Sequence, residues 1–185
     1  MRDSNQFILE TERFILRPYC KEDAKLVYPV VGRKEIAATT LMIPYPYPRQ
    51  HVDWWIRYTN DNRKRGIAFE FGIFLKENPL VYIGNCGLIT ISQEHKNAEL
   101  AYFIDPDYWN QGCGTEACKR VLDFGFRTLL LQRIAGRCMS RNIGSRRVME
   151  KSGLRYEGTS RREIYKWGEF EDVARFAILR SEWYV

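Results

Sequence analysis

The sequence predicts one α+β domain built on a mixed sheet, and three observations carry that expectation. Its 185 residues, 45% hydrophobic and 28% charged, have an ordinary globular balance with enough apolar material for one core. Three strand-like runs, at 67–75, 81–92 and 98–104, are spaced as an antiparallel meander. A helical pattern at 112–130 then separates the third run from another at 133–139, as a crossover connection requires. No repeat, low-complexity run or Gly/Ser linker divides the chain, so residues 1–185 are expected to form a single domain.

Taken in order, residues 7–19 alternate Phe14, Leu16 and Pro18 with Arg13, Ile15 and Arg17, which predicts an early strand closed by a turn. Lys21-Glu22-Asp23-Ala24 opens a helical pattern running through Val31, and a second short helix is expected over 33–39. Pro44, Pro46 and Pro48 exclude helix from their loop, because proline lacks the backbone donor and restricts its predecessor. Val52, Trp55, Ile56 and Thr59 then recur at helical spacing, giving a helix to about Arg65 with Trp55 on its packed side. Lys76-Glu77-Asn78-Pro79 supplies the first meander turn, and Asp105-Pro106 ends the third strand. Beyond the 112–130 helix come a strand at Arg133–Met139, a helix at Ile143–Lys151, a strand at 154–161 and a last strand at 173–183.

Composition narrows the function classes. The five cysteines, at 20, 86, 113, 118 and 138, form no C-x-x-C pair, and with only His51 and His95 beside them no metal site is expected. Reduced thiols in a cytoplasmic protein are the economical reading. No apolar run approaches the roughly 18–20 residues of a membrane span, and the N-terminus has no secretory-signal pattern. Lys and Arg number 29 against 23 Asp and Glu, a net +6. The whole excess falls between Arg137 and Arg162, where Arg137, Arg141, Arg146, Arg147, Lys151, Arg155, Arg161 and Arg162 face only Glu150 and Glu157. A basic stretch of this kind suits an anionic ligand. No recognised nucleic-acid module accompanies it, so direct nucleic-acid binding is not expected.

The most informative segment is the strand, loop and helix start from Tyr102 to Ala117, reading Tyr-Phe-Ile-Asp-Pro-Asp-Tyr-Trp-Asn-Gln-Gly-Cys-Gly-Thr-Glu-Ala. A first helical turn leaves about four N–H groups unpaired at the positive end of the peptide dipoles. Gly112 and Gly114 lack β-carbons and would let a phosphate approach those amides. The nucleoside-triphosphate pattern G-x-x-x-x-G-K-[ST] is absent. Gly112 to Ala117 does match the dinucleotide pattern G-x-G-x-x-[GA], but the chain about 20 residues on carries no carboxylate for a ribose.

The same segment resembles the pyrophosphate loop of the GNAT family of N-acetyltransferases, [RQ]-x-x-G-x-[GA]. It is closer still to the branch that acetylates ribosomal-protein N-termini, in which a Trp commonly takes the first motif position, as Trp109 does. That branch usually has Gly where this chain has Asn110. Thr11 to Arg17 resembles the family's opening strand, Asn142 to Gly153 its late helix, and Tyr156-Glu-Gly158 with Asp172 to Trp183 its closing strands. The matches run nearly end to end in the family's order.

The resemblance implies acetyl-CoA as cofactor and an amine acceptor, either a peptide N-terminus or a small molecule, with direct transfer and no covalent enzyme intermediate. It implies a sheet splayed between the strands at 98–104 and Arg133–Met139, with backbone groups of Phe103 and Ile104 bonding the pantetheine arm and one nearby N–H stabilising the oxyanion. Backbone amides of Gln111, Gly112, Cys113, Gly114 and Thr115 would hold the pyrophosphate. Asn142 would bond the pantetheine amide, though helix capping explains the same residue. Ser145 would return a proton to the thiolate; the Tyr that does so in many members does not occur between Asn142 and Gly153. Glu99 is a candidate base; Glu163 lies near a second candidate position, which Ile164 occupies in this matching. Tyr45, Tyr47 and Trp167 are candidate walls of the acceptor pocket. A non-catalytic acyl-CoA-binding module is the rival class.

Overall fold

The computed structural model describes residues 7–183. Its strands are β1 (Leu9–Glu10), β2 (Phe14–Arg17), β3 (Phe69–Leu75), β4 (Tyr82–Ser92), β5 (Asn97–Ile104), β6 (Arg133–Met139), β7 (Arg155–Lys166) and β8 (Glu169–Leu179), joined in one sheet in the order β1-β2-β3-β4-β5-β6-β8-β7. The helices are α1 (Ala24–Val31), α2 (Lys34–Thr39), α3 (Gln50–Arg65), α4 (Cys113–Arg127), α5 (Ile143–Lys151) and the single turn α6 (Arg180–Trp183). Among the described residues no helix is long and apolar enough to cross a membrane. The meander β3-β4-β5 is antiparallel as expected, and the α4 crossover makes β5–β6 the sheet's parallel pair.

Period-two alternation divides the apolar residues between two cores. Phe69, Phe71 and Ile73 of β3, Cys86 and Leu88 of β4, and Leu100 and Ile104 of β5 point to one face, where Ala117, Cys118, Val121 and Leu122 of α4 cover them. The opposite face carries a smaller cluster of Tyr19, Val27, Val31, Val52, Ile56, Phe74 and Tyr82, under α1 and α3. Trp55 joins that second cluster, its ring 4.8 Å from Tyr19, in line with its expected packing role.

Several boundaries differ from the sequence reading. The early strand is two strands folded on each other, because Thr11 makes a turn in which its Oγ1 accepts from Phe14 N–H at 2.9 Å. Helix α4 stops at Arg127, and Leu130 takes a left-handed φ of +56° that no helix can include. β7 runs five residues further than expected, to Lys166, and β8 begins at Glu169. Between them Trp167 and Gly168 both have positive φ, the two-residue turn whose twist suits a hairpin. The tip of this hairpin, residues 162–172, has no buried residue, so it lacks the apolar alternation that marks a strand. The last strand ends at Leu179, whose N–H bonds Glu182 Oε2 as α6 begins.

Candidate active site

The sheet opens where β5 and β6 part. Their pairing runs from Asn97↔Arg133 to Leu100↔Gly136 and stops, while both strands continue, to Ile104 and Met139. Alternation fixes which backbone groups face the opening. Asp105 N–H bonds Ile83 O at 2.8 Å and Phe103 pairs with Asn85, so the Phe103 amide and carbonyl belong to β4. Tyr102 and Ile104 present theirs to the gap. The backbone position expected of Phe103 therefore falls to Tyr102. The Ile104 carbonyl is already taken, by Trp109 Nε1 at 2.6 Å, which ties the loop after β5 back onto its strand.

A cleft of about 500 Å³ follows this opening, with Phe103, Ile104, Gly112, Cys113, Gly114, Thr115, Asn142 and Ser145 all in its lining. Gly112 enters α4 with φ +77°, a left-handed conformation that glycine takes without strain, and its carbonyl accepts the first intrahelical bond, from Glu116 N–H. The amides of Cys113, Gly114 and Thr115 precede that bond and carry the positive end of the helix dipole. A β-carbon at Gly114 would stand 3.3 Å from Val148 Cγ2 and 3.5 Å from Ile104 Cγ1, a tight fit in which Val148 would have to give by a few tenths of an ångström, so glycine suits this close approach of α4 to α5 and β5. Gln111 stands apart from this lining: its Nε2 bonds Asp107 O at 2.9 Å and its carbonyl accepts from Arg13. Arg13 also clamps Glu116, with Nε 2.7 Å from Oε2. Burial opposes ionisation of Glu116, but hydrogen bonds from Thr11 and Arg13 outweigh it and hold the carboxyl below its usual range. Burial pushes the Cys113 thiol up, away from the thiolate a nucleophile needs.

Asn142 caps α5, its Oδ1 accepting from Ser145 N–H at 3.0 Å, while its Nδ2 bonds Thr39 O. The capping explanation thus accounts for its side chain. Ser145 Oγ lies 2.7 Å from the Tyr102 hydroxyl, which also donates to the Ser145 carbonyl at 3.0 Å. Burial holds the Tyr102 phenol well above its ordinary range, so it stays protonated. The late helix lacks a tyrosine, and strand β5 supplies one instead. Of the eight cations in the basic stretch, Arg147 and Lys151 line the cleft. Arg137, Arg141 and Arg155 are bound to Glu99, Glu171 and Glu182, so much of the expected field is neutralised.

On the sheet's other face, the two candidate bases share one cation. Arg137 Nε meets Glu99 at 2.9 Å and its NH1 meets Glu163 at 3.3 Å, with Arg175 closing on Glu163 at 2.8 Å. Neither carboxylate lies in the lining of the cleft, nor do Tyr45, Tyr47 and Trp167. Tyr45 and Trp167 are about half exposed and meet edge-on at 6.5 Å, while Tyr47 packs half-buried into the smaller core. Lys166 Nζ reaches Thr40 O at 2.5 Å, pinning the hairpin tip to the end of α2 beside the cleft. The sequence reading does not single out Arg13, Tyr102 or Lys166, and it does not give the carboxylate partners of Arg137; each acts across the chain, and only Tyr102 lies inside the motif segment.

An acetyltransferase (GNAT) domain model matches residues 13–155. The chain belongs to the GNAT family. Members of this kind are acetyl-CoA-dependent N-acetyltransferases, and the glycine-lined amide cradle at α4 fits that cofactor's diphosphate. Among GNAT relatives, the N-acetyltransferase p20 of Bacillus licheniformis is 31% identical over 95% of this chain and 97% of its own. The spermidine N(1)-acetyltransferase of Escherichia coli K12 is 24% identical over 91% and 87%. The structure of the ribosomal-protein-S5-alanine acetyltransferase from Vibrio fischeri superposes with a TM-score of 0.85 at 21% identity, covering 96% of this chain and 99% of that one.

Proposed function

We propose that this GNAT enzyme acetylates the α-amine at a peptide or protein N-terminus. The observation that carries this reading is the pairing of carboxylates on the acceptor face. Glu99 and Glu163 are engaged by Arg137 and Arg175, which leaves little anionic surface to hold a polyamine's several charges. A single terminal ammonium makes no such demand. The relative that acts on ribosomal-protein alanine shares the fold, and the spermidine relative defines the competing small-molecule reading.

The residues divide the work. First-turn amides of Cys113, Gly114 and Thr115 would hold the diphosphate, with Arg147 and Lys151 adding positive charge along the same cleft. The backbone groups of Tyr102 and the amide of Ile104 face the gap and would bond the pantetheine arm. When bound, acetyl-CoA supplies a thioester whose acyl carbon the amine attacks. Ser145 Oγ holds a proton at the cleft wall, and the Tyr102 hydroxyl stands ready to replace it. The test is an acceptor screen that follows thiol release with peptides beginning in Ala, Ser or Thr, against spermidine and spermine. The reading expects peptides to be turned over at least tenfold more efficiently; the reverse order would overturn it, and acetyl-CoA binding without turnover of any amine would favour the binding-module class.

A further inference from the structure

The acceptor face holds a third carboxylate that no cation claims. Glu70, in the middle of β3, points to the face opposite α4, since its neighbours Phe69 and Phe71 point into the α4 core. Its Oε2 accepts from Asn85 Nδ2 at 3.2 Å, and Asn85 is fixed in turn by the Tyr19 hydroxyl, which donates to Asn85 Oδ1 at 2.8 Å and lies 3.2 Å from Tyr82. Among the described residues no ion pair reaches Glu70.

The register places this carboxylate in line with the sheet's opening. Glu70 pairs with Gly87, and Gly87 with Ala101, the first residue of β5 beyond its pairing with β6. Two strand spacings of about 4.8 Å separate the backbones of Glu70 and Ala101, and a glutamate side chain spans about half of that distance. The two residues between Glu70 and the gap are thus among the smallest available, and Glu70, Ala101 and Ala135 are all partly open to solvent. A side chain at Gly87 would collide with Glu70 itself, whose Cγ stands 3.0 Å from the β-carbon site.

We propose that Glu70 is the general base, taking the proton from the acceptor's ammonium directly or through one water before the amine attacks. The proton passes from the ammonium nitrogen to a Glu70 oxygen, leaving a neutral amine and a neutral carboxylic acid. As the C–N bond forms and the C–S bond breaks, Ser145 protonates the thiolate from the other face, the attacking nitrogen loses its second proton to water, water restores the proton of the Ser145–Tyr102 pair, and Glu70 returns its own proton to solvent along the groove. Burial without a cation raises the Glu70 carboxyl to about 7, and the hydrogen bond from Asn85 restrains that rise. A base poised there is matched to neutral pH. The groups facing it are Asn85, Tyr82 and Tyr19; across the groove lies the closed Arg137–Glu99–Glu163 cluster, and on α3 Arg63 is bound to Asn60.

This assignment rests on the acetyltransferase reading, and the experiment separates the two. Glu70→Gln keeps the shape and an acceptor for Asn85. With an Ala-initiated peptide at pH 7 it is expected to lower kcat/KM by about 100-fold or more. The defect should shrink as pH passes the peptide amine's own value of about 8, where the acceptor arrives neutral. Acetyl-CoA affinity, measured by calorimetry, should not change. Glu99→Gln is expected to lower the rate while keeping the acid limb of the profile. A Glu70→Gln rate within threefold of the parent at pH 7, a loss equal at every pH, or a limb that vanishes in Glu99→Gln would each overturn the proposal. Thermal melting supplies a readout that needs no turnover. The parent should lose stability relative to Glu70→Gln between pH 5 and 8, as its buried acid ionises; parallel curves would sink the Glu70 assignment even if no acceptor is found. A parent that melts as expected yet acetylates no amine fails the acetyltransferase reading instead.

Discussion

The two faces of the sheet at the β5–β6 opening are built from different materials. The α4 face is made of backbone: a helix start, two glycines and strand groups freed by the end of pairing. The α3 face is made of side chains, with Glu70, Asn85, Glu99, Arg137 and Glu163 brought together from five strands. A backbone site depends on local conformation and tolerates most sequence changes outside its glycines. A side-chain site depends on long-range register, and each residue in it can be tested singly.

Substitutions that break this contrast should rank accordingly. The largest effect belongs to Gly114→Val, whose added carbons would overlap Val148 and Ile104 and push α5 from α4. Acetyl-CoA binding should fall by about 100-fold or more by calorimetry, an overpacking effect of roughly 1–3 kcal/mol compounded by the lost amide geometry. Ser145→Ala comes next, expected to cut kcat about 10- to 100-fold with little change in the KM for acetyl-CoA. Tyr102→Phe keeps Ser145 but removes the phenol that orients it, and should cost less than Ser145→Ala in the same assay. A Tyr102→Phe loss exceeding that of Ser145→Ala would make the phenol the direct donor. The smallest effect should come from Arg147→Gln and Lys151→Gln, each raising the KM for acetyl-CoA a few-fold, with the difference narrowing as salt is added.

The difference between the faces also explains what was legible. The α4 side could be read because Gly112-Cys-Gly114-Thr lies in one unbroken run and a helix N-terminus is a local event. The meander and crossover were legible for the same reason, as apolar alternation and helical period change in sequence order. The tip of the β7–β8 hairpin is not legible because residues 162–172 are all exposed or half-buried and carry no apolar rhythm, although Trp167-Gly168 holds a turn signal. Glu99 was singled out from its place on a strand, yet its partner Arg137 lies 38 residues on and only the parallel register joins them. The link from Glu70 to the gap passes through two strand pairings, and no local pattern announces it. Of the basic residues from Arg137 to Arg162, Arg147 and Lys151 line the cleft, while the carboxylate partners of Arg137, Arg141 and Arg155 come from distant parts of the chain.

In the proposed mechanism, proton removal from the amine and proton return to the thiol occur on opposite faces of the opening. The most direct measurement is kcat/KM against pH, from 6 to 9.5, for Ser145→Ala beside the parent enzyme with one peptide acceptor. A lower plateau with the acid limb unmoved is expected, because the base lies on the other face and is untouched. An acid limb that shifts or disappears in Ser145→Ala would place both proton transfers at one site and contradict it.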